Sequence, residues 1–429
     1  MIKNIFRVSF PKGAFAKDVL ITILFQISIL VLNVLVLKYS SLHMSLEGFG
    51  LFNVAKRSAS LAAYVFLFGL GISIPRFIAV YRASGNPEGE YSTFFAGLGL
   101  VSILSVIGLL IGLVFKSSCA RLLFGDEKFV YAILPLIINA IGICFSTFIT
   151  SYFRGINNMW QFNFIQFILQ LFVLLILFLI TNSPIDLILW WGISWIIASL
   201  IYLLYIFKFW VRPDFKIISK KTIKSLFELV HFGAFRTIGE FSLFGYFALP
   251  LVIISSRKEL SSVAILSIPI SFFQLITAIF GFAGYVLLPH VSAGITNGNF
   301  RSIKRDLKRM EIIYLLGSIL AVFALLTLTP FITKIFFSSK YNISVPLTRI
   351  ISIGVIPYVF YLLYRNPLDA ISRFPWNSVN LLISLVLLIT WTMLSHSLIS
   401  YAMAYASSSV LLGILSSITW NRINRLIQA

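Results

Sequence analysis

Twelve apolar stretches of roughly 20 residues follow one another along the chain, and about that length is what a helix needs to cross the hydrocarbon of a bilayer. They lie near 18–38, 58–82, 94–116, 129–153, 162–182, 185–207, 226–254, 262–289, 311–337, 346–364, 377–395 and 398–420. Of the 429 residues, 59% are hydrophobic and 11% charged, and the mean hydropathy is +0.97. A soluble domain has no core large enough to hide that surface, so the sequence predicts an all-α polytopic membrane protein of twelve transmembrane helices. The basic leader MIKNIFRVSFPKGAFAK is not followed by a small-residue cleavage site, so the first stretch reads as a retained span rather than a signal peptide.

Charge gives orientation and organisation. If both termini share one side, Lys and Arg favour that side by roughly two to one, which predicts cytoplasmic termini. The net charge of +20 is largely explained by basic loops facing anionic lipid. A basic segment at 208–225, KFWVRPDFKIISKKTIKS, separates six spans at 1–207 from six at 226–429. The halves echo each other. FGLGISIPRFIAVYRASGN (68–86) and FGFAGYVLLPHVSAGITNGN (280–299) share their order of glycine, proline, basic residue and Gly-Asn, with Pro75 and Pro289 214 residues apart. SYFRG around Arg154 and LLYRN around Arg365 lie 211 residues apart. Six spans per half keep both halves in one orientation, so two six-helix bundles related by a parallel pseudo-repeat are expected, with a cleft between them for substrate. His290 stands where the first half has Arg76.

The second span raises the sharpest local question. Ser58, Ala62, Gly69, Ser73 and Arg76 recur at helical spacing, with Val65 filling one turn, as a stripe suited to close helix approach. Gly71, Pro75 and Pro289 are the candidate hinge or kink positions. A helix-interior proline removes a backbone donor, which a membrane tolerates when neighbours satisfy the freed carbonyl.

Ionisable groups inside spans are costly and commonly functional. Arg236 and Glu240 stand one turn apart in the seventh span, preceded by Glu228 and His231. They read either as a structural ion pair or as an anion contact with an ion-coupling carboxylate. Arg365 and Asp369 repeat the spacing in the tenth span, with Asn366-Pro367 expected to interrupt the helix between them. Lys56 and Arg57 open the second span at its other end. The candidate cleft cations are therefore Arg57, Arg76, Arg154, Arg236 and Arg365, and the candidate coupling groups Glu240 and Asp369. Gln26 with Asn33, and Gln166 with Gln170, share helix faces and suit amide contacts between helices or sugar hydroxyls alike. Cys119, Cys144 and four scattered histidines have no metal-ligand spacing. No nucleotide loop occurs and no external loop is long or acidic enough to hold transferase chemistry, so no enzymatic site, metal or cofactor is expected.

EGFGLFNVAKRSASLAAYVFLFGLGISIPRFIA, STFITSYFRGINN, LLPHVSAGITNGNFRSIKRDLKRM and YRNPLDAI, in this order, resemble the polysaccharide flippases, the O-antigen and oligosaccharide-lipid translocases of the multidrug/oligosaccharidyl-lipid/polysaccharide exporter superfamily. The resemblance implies a cationic cavity between two bundles in a bacterial inner membrane. It also implies ion-gradient-driven transfer of undecaprenyl-diphosphate-linked sugar units to the periplasmic leaflet. The implied partners are the lipid-linked glycan, membrane lipids and other polysaccharide assembly proteins, with no nucleic acid and a functional monomer. The nearest rival is a multidrug or organic-cation antiporter of the same architecture, whose cleft should be dominated by acids rather than arginines. A membrane glycosyltransferase or polymerase is disfavoured by the short external loops, and an uncoupled lipid scramblase is compatible with the same features.

Overall fold

The computed structural model describes residues 14–180, 183–211, 220–282, 300–372 and 374–426, and no strand occurs among them. Among the described residues, fifteen α-helices carry the fold. They are α1 Ala14–His43, α2 Leu46–Leu67, α3 Leu70–Ala83, α4 Pro87–Val114, α5 Lys116–Phe124, α6 Ile133–Gly155, α7 Met159–Leu179, α8 Pro184–Phe209, α9 Lys220–Ser256, α10 Leu260–Phe282, α11 Phe300–Phe336, α12 Ser344–Ser352, α13 Val355–Ile371, α14 Trp376–Leu394 and α15 Leu398–Leu426. Among the described residues, ten helices are long and apolar enough to cross a membrane, and the count rises to twelve when the bent pairs α2–α3 and α12–α13 are each taken as one span. Pro289, His290, Arg373, the leader to residue 13 and linker residues 212–219 lie outside the described residues.

α4 shows why such a sequence folds in lipid. Gly97, Val101, Ser105, Gly108 and Gly112, three or four residues apart, are buried against protein, while Ile103, Val106, Leu110 and Val114 face outward. Lipid tails are as apolar as these outer side chains, so helix association comes from close packing along the small-residue face. α11 presents Ile312, Leu316, Leu320 and Phe323 outward in the same way.

Packing divides the chain at a place the basic linker does not mark. One compact unit is Phe25–Ala264, and the other joins Ile265–Ala429 to the described residues up to Leu24. The seventh span, α9, thus belongs by contact with the first six spans, although it begins the second half in sequence. It packs on α2, α3, α4 and α5. In the other unit Phe273 meets Tyr358 and Tyr405 edge-on, at 5.0 and 5.2 Å between ring centroids, and Ser344 Oγ donates to the Ile265 carbonyl at 2.8 Å.

The break in the second span is not at its proline. α2 and α3 meet at 41° across Phe68 and Gly69, both in the left-handed region with φ of 47° and 71°. Left-handed backbone is ordinary for glycine and strained for phenylalanine. The cause is tertiary. A Cβ on Gly69 would lie 2.8 Å from both the Cα and the carbonyl oxygen of Gly233 on α9, and one on Gly233 would clash with the Phe68 oxygen. The break is where two backbones touch. Because the helix restarts at Leu70, the small stripe read across the span is out of phase: Ser58, Gly69 and Ser73 are buried, while Val65 and Arg76 are exposed. α13, by contrast, runs unbroken through Asn366-Pro367, correcting the expected interruption. Pro367 removes one intrahelical hydrogen bond there without ending the helix.

Candidate functional site

α9 carries the elements of the site in order along its length. At its basic end Lys221 pairs with Glu88, Lys224 approaches Glu228 at 4.0 Å, and Tyr81 Oη donates to Glu228 at 3.1 Å. One turn on, Phe232 meets Phe77 of α3 edge-on at 5.6 Å. The Arg76 guanidinium carbon lies 4.5 Å from the Phe232 ring centroid and that of Arg236 lies 4.7 Å from it. One ring thus holds two cations, one from α3 and one from its own helix four residues away, no farther apart than the sum of those distances. A guanidinium on an aromatic face keeps its edge donors available to a second partner. Arg76 is exposed and forms no ion pair among the described residues. By sequence the seventh apolar stretch is 226–254, so Phe232, Arg236 and Glu240 all lie within it.

Glu240 and Arg154 converge on Gly71. Glu240 Oε1 lies 3.6 Å from the position a Gly71 Cβ would take, and Arg154 Nη2 donates to the Gly71 carbonyl. Ser151 Oγ donates to the same oxygen at 3.3 Å. Arg154 also lies 5.9 Å from the Phe162 ring. The structure therefore brings together Gly71, Pro75, Arg76, Arg154, Arg236 and Glu240 around the meeting of α3, α6 and α9.

The remaining candidates stand elsewhere. Arg57 is buried and donates to the Phe247 carbonyl at 3.4 Å, eleven residues along α9 from Arg236. Lys56 Nζ lies over the Trp191 and Phe52 rings at 5.3 and 5.9 Å. Arg365 and Asp369 belong to the other unit. There the Asn377 side-chain amide donates at 2.8 Å to both the Arg365 carbonyl and Asp369 Oδ1, fastening α13 to α14. Of the amides, Gln26 donates to Asn163 and Gln166, joining α1 to α7, and Asn33 donates to the Ile29 carbonyl of its own helix. Cys144 is buried and both cysteines are free thiols. No group of three or more His, Cys, Asp or Glu suited to a metal ion occurs among the described residues.

Sequence reasoning missed Phe232, Ser151, Tyr81 and Gly233. The Phe232–Arg236 spacing of four was a legible signal, because side chains one turn apart meet on a helix. The part played by Arg76 on the same ring needed the fold.

The sequence profile of the polysaccharide biosynthesis protein family matches residues 15–294. No curated protein matches the sequence. Among solved structures, the inward-facing conformation of a multidrug resistance MATE family transporter of the MOP superfamily superposes with a TM-score of 0.76 at 13% identity, covering 94% of this chain and 98% of that one. The outward-facing conformation of a MATE family transporter of that superfamily gives 0.69 at 15% identity, covering 97% of each chain. A eukaryotic MATE transporter gives 0.65 at 13% identity, covering 96% of this chain and 99% of that one. With more than half of its length matched by the profile, the chain is a multi-pass membrane protein that belongs to the polysaccharide biosynthesis protein family and has the fold of the MATE transporters of the MOP superfamily.

Proposed function

We propose that the protein is a flippase that moves an undecaprenyl-diphosphate-linked oligosaccharide, an O-antigen unit or a similar repeat, from the cytoplasmic to the periplasmic leaflet by alternating access. The observation that carries this reading is the pair of guanidiniums, Arg76 and Arg236, held on the two-helix platform of Phe232 in a chain of the polysaccharide biosynthesis family. A diphosphate cannot enter hydrocarbon unaided, because desolvating an ion is prohibitively costly. Two planar forks replace its hydration with charge-assisted hydrogen bonds, while the polyprenyl tail stays in the bilayer. Arg57 and Arg365 are further cations for the path, and Glu240 and Asp369 are the groups proposed to couple an ion gradient. The fold is shared with transporters solved in inward- and outward-facing conformations, which suits alternation between leaflets.

Multidrug resistance is named for two of those transporters, and multidrug transport is the second reading. Guanidiniums at the platform favour an anionic over a cationic cargo. Deleting the gene separates the two. The flippase reading expects loss of surface glycan with accumulation of its lipid-linked precursor on the cytoplasmic side. Normal surface glycan with new sensitivity to organic cations would replace it with the antiporter. Absence of the precursor itself would point to an enzyme of its synthesis.

A further inference from the structure

Pro75 lies inside α3, where its missing N–H leaves the carbonyl four residues back, that of Gly71, without its intrahelical donor. That oxygen has been re-partnered. Arg154 Nη2 and Ser151 Oγ, from the last turns of α6, both donate to it. The neighbouring Gly155 lets α6 come this close, since a Cβ there would lie 3.0 Å from Pro75 Cα. The residue after Pro75 is Arg76, seated on Phe232.

We infer that Arg154 is a positioning residue. With Ser151 it replaces the hydrogen bond that Pro75 deletes, clasps α3 to α6, and so holds Arg76 at the platform, rather than binding the cargo anion itself. The chemistry separates the two roles. A carbonyl cap requires a donor of the right reach and no charge; an anion contact requires the charge. A buried carbonyl left without a donor is expensive, whereas its ordinary helical partner is supplied by any residue other than proline at position 75. Pro75 therefore creates the need for Arg154, and removing the proline should remove the need.

The test is a double-mutant cycle on the full-length protein with two readouts: Tm of the purified protein, and glycan export per inserted molecule. Only the second rests on the flippase reading. Arg154→Ala is expected to lower Tm and to cut export roughly tenfold, the scale of one lost charged hydrogen bond. In a Pro75→Ala background the backbone amide at 75 serves Gly71, and there Arg154→Ala should change neither readout by more than about twofold. Arg154→Gln, which keeps a donor and drops the charge, should retain most export in the native background. Equal damage from Arg154→Ala in both backgrounds would overturn the inference. So would loss of export by a well-inserted Arg154→Gln protein of normal Tm, which would assign the guanidinium to the cargo. If Arg154→Ala fails to insert, its recovery or not by Pro75→Ala reads the same coupling. Because Tm involves no cargo, uncoupled Tm changes defeat the clasp whatever the gene deletion shows about transport.

Discussion

Two spans bend through similar angles by different means. α2–α3 turns 41° and α12–α13 turns 46°. In the second, Ile353 and Gly354 keep right-handed dihedrals, with φ of −58° and −70°, and Ile353 and Gly354 N–H donate to the carbonyls three residues back. The chain tightens into 3₁₀ geometry and resumes, as helices do at many junctions. In the first, two successive residues enter the left-handed region, and one of them is a phenylalanine. A tightened turn can be stable on local terms. A left-handed phenylalanine persists only where the surroundings over-determine it, here through the backbone of Gly233. The bend angle thus says little about what holds a bend, and the bend held by tertiary contact is the one placed beside the two guanidiniums.

The two bends differ most in what their glycines tolerate. Gly69→Ala meets both left-handed strain and the Gly233 backbone and is expected to cost about 2–5 kcal/mol. Gly354→Ala has φ of −70° and meets chiefly the Ser409 side chain at 2.8 Å, and is expected to cost about 1–3 kcal/mol. Chemical denaturation of the two purified variants measures this, and a larger loss for Gly354→Ala would reverse the ranking.

A second change sharpens the link between the first break and charge. Phe232→Leu keeps an apolar side chain on α9 but removes the face that seats Arg76 and Arg236. Affinity for inorganic pyrophosphate should fall roughly tenfold, within the range of two partly desolvated cation–π contacts, with little loss of Tm. Unchanged pyrophosphate binding would leave the ring without a part in seating the cations.

The smallest effect serves as a control away from both breaks. Asp126, in the turn after α5, has its carboxyl held below the ordinary value of 3.8 by the Lys128 backbone amide, and further by the ammonium groups of Lys258 and Lys128. A lowered carboxyl stabilises the fold above its unfolded pKa and loses that contribution as pH falls through the folded value. The Tm difference between the native protein and Asp126→Asn should therefore be small near neutrality and vanish as pH drops below 3.8. A difference that grows in acid would show that the ion contacts are not what stabilises this turn.

The spans were legible because lipid imposes length and apolarity on each helix separately. The break at Phe68–Gly69 was not. Pro75 is a visible reason to bend, but what bends the chain is a glycine on α9, far away in sequence, and no local pattern announces that contact. The packing boundary at Ala264–Ile265 was hidden for the same reason: a basic linker records which segment leaves the membrane, not which helices α9 will touch. Of the candidate site, Arg236 could be named from its depth in apolar sequence, and Arg76 and Arg154 from motifs at span ends. Their different contacts could not, since the three look alike until Arg154 is seen on the Gly71 carbonyl and the other two on the Phe232 ring.

α9 has 37 residues, about 55 Å of helix at 1.5 Å per residue, against a hydrocarbon layer of about 30 Å. The seventh apolar stretch opens at 226, so the Phe232 platform lies about 9 Å of helix inside it, near one end. At fixed distance, the attraction between a guanidinium and a phosphate grows about fourfold when the effective dielectric drops from that of water to that of a protein surface. On the proposed reading, bilayer thickness sets how much of that gain the platform feels: a thicker membrane should tighten its hold on an anion and a thinner one should loosen it.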